Sequence, residues 1–299
     1  MSVSSRLNQV FENCKQFWID DKSKIIFFSD CHRGNNSWAD NFARNQNVYF
    51  AAMLYYFTEG FTYIEIGDGD ELWENRKFPV IREAHSHIFW LLSEFYKLNR
   101  LIMIYGNHDM NKKNKRFLDK CMYEYVDERT NDKKSLFVGI EAHEGIVLNV
   151  RGTDHKFYVT HGHQGQLFND RLWKVNRFLV RYFWKPLENL GAMDPTGPGM
   201  NYERRDKNDR NIIRWIEEKK QAVITGHSHR PSFPQQGAPL YFNDGSCVHP
   251  RAITGIEIQS GMISLIKWSV QTRKDYSLYI TKDILEGPVS IGKLFETTK

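Results

Sequence analysis

The chain has 299 residues, of which 41% are hydrophobic and 26% charged; 41 basic against 36 acidic side chains leave a formal charge of +5. That length and balance exclude a disordered tail or a supercharged nucleic-acid arm and suit one large domain or two small ones; with no Pro/Gly linker or low-complexity tract to divide it, the chain reads as one domain with a substantial core of its own. Cys14, Cys31, Cys121 and Cys247 are far apart and never form C-x-x-C, so neither a zinc ribbon nor a disulfide framework is expected, and a reducing cytoplasm is the simplest compartment.

Residues 1–20 carry Arg6, Asn8, Glu12 and Lys15 among their apolar positions, which interrupts any signal-peptide core, and no later run reaches membrane-spanning length. Leu7, Val10, Phe11, Cys14, Phe17 and Trp18 have helical spacing and predict an amphipathic first helix that packs on the core. Lys24 to Ser29 is a short apolar run that stops at Asp30-Cys31-His32-Arg33-Gly34, a buried strand delivering polar residues at its carboxyl end.

The pattern repeats along the chain. Tyr63 to Ile66 ends at Gly67-Asp68-Gly69-Asp70-Glu71, Leu101 to Tyr105 at Gly106-Asn107-His108-Asp109, Lys156 to Thr160 at His161-Gly162-His163, and Ala222 to Thr225 at Gly226-His227-Ser228-His229. Helical patterns over Ala39 to Glu59 and Phe78 to Leu98 separate the first three, so the early half reads as βαβ units with a parallel sheet. Leu136 to Ile140, Ile146 to Val150, Leu240 to Asn243, Ile253 to Ile258 and Ile263 to Trp268 read as strands of a second, mainly antiparallel or mixed sheet. Ser277 to Ile280 is one more strand before a polar tail, and the turn Asn243 to Ser246 has two readings, a place near the ligands or a purely structural turn, of which the structural one is preferred.

Open α/β sheets bind ligands outside the carboxyl ends of their strands, where these five polar loops can meet. Asp30 and His32 are two apart and share a face if the chain stays extended, as do His227 and His229. Asp68 follows a glycine that permits a tight turn and suits a carboxylate shared by two cations. Asn107 and His161 complete seven candidate ligands: Asp30, His32, Asp68, Asn107, His161, His227 and His229. Cys31, between two of them, is expected to turn into the core, and Asp70 or Glu71 to orient a histidine.

The ordered set D-x-H, G-D, G-N-H-D, x-H-G-H and G-H-x-H over Asp30 to His229 resembles the calcineurin-like metallophosphoesterase superfamily. The resemblance implies a four-layer αββα sandwich of two mixed sheets flanked by helices, with two divalent cations at one edge; manganese is the first expectation, iron or zinc the alternatives. By motif, Asp30, His32 and His229 would hold one metal, Asn107, His161 and His227 the other, and Asp68 would bridge. Two such cations roughly 3.5–4 Å apart ready a shared hydroxide for in-line attack on phosphorus. His108 is then the candidate acid for the leaving oxygen, with Asp109 to orient it. Arg33 and Asn107 are the candidates to touch the substrate phosphate.

Leu167 to Leu190 has no breaker before Pro186 and predicts a helix, part of a lid insertion at about 164–211. Arg171, Lys174, Arg177, Arg181 and Lys185 form a basic stripe, and Phe168, Leu172, Trp173, Phe178, Leu179, Phe183 and Trp184 are its apolar part. Two readings stand: a core helix with a solvated basic face, or a lid meeting an anionic or acyl substrate at a membrane surface. Gly67-Asp68-x-x-Glu71-x-Trp73, Gly226-His227-Ser228-His229-Arg230-Pro231 and the lid are similar to the UDP-diacylglucosamine pyrophosphatase branch, although that branch often carries arginine in place of His108.

The first functional reading is a phosphoesterase or pyrophosphatase acting on a small anionic phosphate, a nucleotide or a lipid-linked diphosphate. A Ser/Thr protein phosphatase or nuclease would need an open groove where the insertion looks like a cover, so nucleic acid is not an expected partner. A metal-bound, non-catalytic membrane-surface module is the remaining reading, and the full ligand set with His108 argues against it.

Overall fold

A computed structural model describes residues 2–127, 129–184 and 202–296. The chain opens with α1 (Val3–Glu12) and β1 (Lys15–Ile19). The predicted first helix therefore ends earlier than its spacing suggested: Phe17 and Trp18 lie on a strand, and Trp18 is 61% exposed. Then follow β2 (Lys24–Phe28), α2 (Gln46–Thr58), β3 (Thr62–Ile66), α3 (Phe78–Ala84), α4 (Ser86–Lys97) and β4 (Leu101–Ile104). Each long helical pattern is thus broken once: a single tight helical turn over Asn41–Arg44 precedes Asn45, the N-cap of α2, and α3 ends at His85, the N-cap of α4.

After α5 (Lys115–Cys121) come β5 (Glu124–Asp127), β6 (Asp132–Ser135), β7 (Ala142–His143), β8 (Gly145–Val150) and β9 (Lys156–Thr160). Leu136 to Ile140 is not a strand; Leu136, Phe137 and Ile140 enter the core from a loop. Next are α6 (Trp173–Leu179), α7 (Tyr202–Lys219), β10 (Ala222–Thr225), β11 (Tyr241–Asn243), β12 (Ala252–Gln259), β13 (Met262–Thr272), β14 (Leu278–Ser290) and α8 (Ile291–Glu296). The expected polar tail is instead the rest of β14 and a helix that buries Ile291 and Leu294.

The strands form a seven-stranded sheet, β14-β13-β12-β2-β3-β4-β7, and a five-stranded sheet, β1-β8-β9-β10-β11, besides the β5-β6 hairpin. In the first, β2, β3, β4 and β7 are parallel while β12, β13 and β14 add antiparallel. In the second, only the β8-β9 pair is antiparallel. Each sheet therefore mixes early and late strands, which corrects the expectation of one sheet per half: β1 leaves the first half to pair with β8, and β12 returns to pair with β2.

Strand alternation builds the layers. Phe27, Ile64, Ile66 and Ile104 point to one side and meet Leu148, Phe157, Val159, Ile224 and Phe242 from the other sheet. Their neighbours Ile26, Phe28, Tyr63 and Met103 face Tyr49, Tyr56, Leu92 and Phe95 of α2 and α4. On the outer side of the five-stranded sheet, Val147, Tyr158 and Val223 pack under Leu7, Val10 and Trp215 of α1 and α7. Two mixed sheets flanked by helices result, and burying each such side chain contributes about 1.5–3 kcal/mol. The carboxyl ends of β2, β3 and β4 in one sheet and β9 and β10 in the other open onto the same edge.

Candidate metal centre

Five candidate ligands at that edge have left-handed backbones: Asp30 (φ 49°), His32 (48°), Asp68 (50°), His227 (67°) and His229 (55°). A side chain in this region costs about 1–2 kcal/mol, so the surrounding structure must impose it. The i, i+2 pairs accordingly do not act by extended alternation, as the spacing suggested: a sharp turn brings Asp30 and His32 together, whereas the turn at 227–229 sends His227 and His229 to different clusters. Backbone bonds lock those turns, with Asp30 N–H donating to Gly67 O (3.1 Å), His32 N–H to Asp68 O (2.8 Å) and Arg33 N–H to Gly69 O (3.0 Å). Gly106 must be glycine, because a Cβ there would lie 2.1 Å from Asp68 Oδ1.

Asp30, His32 and His229 converge as one cluster and Asp68, His161 and His227 as another. His229 Nε2 is 3.0 Å from Asp30 Oδ1, and His32 Nε2 is 3.6 Å from the same oxygen. Asp68 Oδ2 lies 3.1 Å from His161 Nε2 and 3.9 Å from His32 Nε2, so this carboxylate faces both clusters. His227 donates its backbone N–H to Asp30 Oδ2 (2.8 Å). Asn107 is buried in the loop that follows β4, next in sequence to His108, whose N–H donates to Asp68 Oδ1 (2.8 Å).

Burial alone would raise the Asp68 carboxyl, but the imidazoles of His161, His108 and His32 outweigh it and hold it far below the carboxylate range. Burial likewise opposes a charged His161, yet Asp68 and Asp30 push its pKa up to about 9. His227 goes the other way, down to about 3, through burial and then repulsion by His161. The pocket therefore demands positive charge between its carboxylates. Four buried donor atoms of the candidate ligands, His32 Nε2, Asn107 Oδ1, His161 Nε2 and His227 Nδ1, have no hydrogen-bond partner. Carboxylate, imidazole and amide donors with free lone pairs fit divalent cations such as manganese, iron or zinc.

Around this centre the structure rearranges several expected roles. His108 Nδ1 meets Glu71 Oε1 (2.9 Å), its backbone N–H donates to Asp68 Oδ1 (2.8 Å), and its ring stacks on Trp73 with centroids 4.0 Å apart. Glu71 also meets His32 Nδ1 (2.8 Å), so one carboxylate orients two imidazoles. Asp109 does not orient His108. It accepts N–H bonds from Gly106 (2.7 Å) and Gly69 (3.1 Å) and pairs with Lys112 (2.7 Å), tying the β3 and β4 loops together.

Arg33 does not reach a substrate. It is fully buried, with Nε 2.8 Å from Asp70 and an Nη atom 2.8 Å from Glu65, in a network that Lys112 shares. Cys31 is buried in the core beside Cys247, as alternation suggested, although its neighbours are not extended.

Asp244 and Ser29 were not legible as members of the centre. Ser29 Oγ lies against Asp30 and 2.6 Å from Asp244 Oδ1. A hydroxyl has one proton to give, and burial followed by repulsion from Asp30 raises Asp244 well above its ordinary range. Ser29 thus links the Asp244 and Asp30 carboxyl groups through its single hydroxyl. The turn at Asn243 thus does approach the ligands.

Leu167 to Leu190 does not form one helix. Two wide turns, Leu167–Arg171 and Val180–Trp184, flank α6, and residues 185–190, with Lys185, lie outside the described residues. The core-helix reading is corrected too: Leu167, Phe168, Leu172, Val175, Phe178, Leu179 and Tyr182 are exposed. Part of the basic stripe faces inward. Arg181 donates to Trp73 O (2.8 Å) and Leu72 O (2.6 Å), and Arg177 to Asn111 Oδ1 (2.8 Å), which docks the segment beside His108.

Residues 23–231 match the family model described as Calcineurin-like phosphoesterase. No curated protein sequence matches the chain. Among solved structures the chain is similar to Vps29 from Chaetomium thermophilum, at 8% identity and a TM-score of 0.39, over 88% of this chain and 96% of that one.

Proposed function

This chain belongs to the calcineurin-like phosphoesterase family of metal-dependent phosphoester hydrolases, and from that premise we propose that it cleaves a diester or diphosphate bond in an amphiphilic substrate, a lipid-linked or nucleotide diphosphate. The observation that carries the substrate class is the exposed apolar face of 167–182, docked on the Leu72 and Trp73 carbonyls next to the candidate centre. An apolar face of this kind beside a charged pocket suits a molecule that is anionic at one end and hydrocarbon at the other. Membrane contact, in an otherwise cytoplasmic protein, belongs to the same proposal.

Asp30, His32 and His229 would hold one cation, Asn107, His161 and His227 the other, with Asp68 between them. Bound there, the pair supplies an activated water and neutralises phosphoryl charge. The chain's own residues do the rest. Glu71 Oε1 accepts the His108 Nδ1 proton, which leaves Nε2 as the atom that gives a proton to the leaving oxygen. Trp73 fixes the plane of that ring, and Ser29 and Asp244 hold Asp30 in place.

The test is turnover with added manganese on p-nitrophenyl phosphate, bis(p-nitrophenyl) phosphate, a nucleoside diphosphate sugar and its acylated form. The diester and diphosphates should outrun the monoester. Phe178→Asp should raise KM for the acylated substrate while leaving the unacylated one unchanged. A preferred monoester, or a Phe178→Asp protein that treats both diphosphates alike, overturns the substrate class.

A further inference from the structure

The candidate histidine ligands differ in what holds them. His161 Nδ1 donates to the backbone oxygen of Ile66 (2.8 Å), the last residue of β3, and His32 Nδ1 meets Glu71 (2.8 Å), in the loop that follows β3. His227 is different: its Nε2 lies 2.9 Å from Gln166 Nε2 and 3.2 Å from Gln166 Oε1, on the segment inserted between the ligand motifs. His227 Nδ1, the other ring nitrogen, is buried without a hydrogen-bond partner, and His227 clusters with Asp68 and His161.

An imidazole that offers the Nδ1 lone pair to a cation must carry its proton on Nε2, and that proton needs an acceptor. Gln166 Oε1 is within reach to be one. The amide is itself fixed, since Asn169 Nδ2 donates to Gln166 Oε1 (2.5 Å) and Asn176 Nδ2, on α6, donates to Asn169 Oδ1 (3.4 Å). The turn beneath is anchored on the body: Gly165 N–H donates to Asp170 Oδ2 (2.8 Å), which also pairs with Arg6 of α1 (3.1 Å).

We propose that Gln166 is a positioning residue for His227, accepting its Nε2 proton so that Nδ1 faces the cation, and that Gln166, Asn169 and Asn176 form an amide relay through which the docking of α6 sets the affinity of that metal position. This rests on the metallophosphoesterase reading of the centre. It places the control of one cation, and not the other, on the segment that would meet substrate.

The experiment is a manganese titration of the full chain, with free ion followed by electron paramagnetic resonance and zinc competition against a chromophoric chelator. Wild-type protein should bind two ions. Gln166→Leu should weaken one of them about 10- to 100-fold and leave the other unchanged. Gln166→Glu keeps an acceptor and should bind both at least as tightly as wild type, whereas Gln166→Lys, which only donates, should behave like the leucine variant. Asn176→Ala should weaken the same ion by less. Thermal unfolding of each metal-free variant reports whether the fold is intact, and a merely structural role for Gln166 would lower it in the glutamate variant as well.

Unchanged affinity in Gln166→Leu, or equal loss in Gln166→Glu, overturns the relay while two bound ions keep the metal reading. A wild-type chain that binds neither ion overturns both.

Discussion

His108 shows how the surroundings of one residue determine its chemistry. It sits at the rim of the centre with Glu71 on one ring nitrogen and the indole of Trp73 against its face, so its remaining nitrogen is held toward whatever occupies the pocket. His108→Ala should keep both metals in elemental analysis and lose about 10²–10⁴-fold in kcat on a poor leaving group, with a much smaller loss when the leaving group needs no proton. Glu71→Gln should show the same dependence on leaving group, and an altered metal content as well, because Glu71 also holds His32. Equal losses on good and poor leaving groups would remove His108 as the acid. Residue types and their order located this site in the sequence and offered Asp70 or Glu71 to orient a histidine; that Glu71, and not Asp109, meets His108 was not legible there. Glu71 and Asp109 are both acids near a ligand motif, and only the fold shows that Asp109 is occupied by Gly106, Gly69 and Lys112.

At the scale of elements, the loops after β2, β3 and β4 are joined by a buried charge network: Arg33 and Lys112 against Glu65, Asp70 and Asp109. Its members are fully buried, so removing one partner strands another charge in a dry place. Arg33→Met should cost about 3–5 kcal/mol in urea unfolding. Arg33→Lys should keep the charge, lose the forked contact to Glu65 and Asp70, and leave KM unchanged in whatever enzyme remains folded. A raised KM with unaltered stability would restore Arg33 to the substrate. In the sequence Arg33 was ambiguous because an arginine after a ligand histidine reads equally as a phosphate clamp or a loop charge, and its partners Asp70 and Glu65 are more than thirty residues away. The strands themselves were legible as apolar runs ending in polar loops. The break of the 167–184 segment was not, since no proline or glycine marks it between Leu167 and Trp184.

Over the whole molecule the layer order follows from alternation within short apolar strands, but the assignment of strands to sheets depends on long-range pairing. The pairing of β1 with β8 spans more than a hundred residues, and no local pattern announces it. The candidate ligands come from both sheets, Asp30, His32, Asp68 and Asn107 from one and His161, His227 and His229 from the loops of the other. Cations bound there would cross-link the two. Removing them with a chelator should abolish turnover and lower the melting temperature, and added manganese should restore both, with the melting temperature rising as free ion rises. A melting temperature indifferent to chelator and metal would show that no such cross-link exists.

The first helix adds a practical consequence. Val3 packs against Gly165, one residue before Gln166, and Arg6 reaches Asp170, so the chain enters the fold beside the candidate centre. At the other end, Ile291 bonds to Gly261 and Phe295 stacks on His155, at the strand ends far from the ligands. A polyhistidine purification tag joined ahead of Ser2 would hang its imidazoles over the pocket and compete for the very ions being assayed. Joined behind Glu296, the same tag would sit on the opposite side of the molecule.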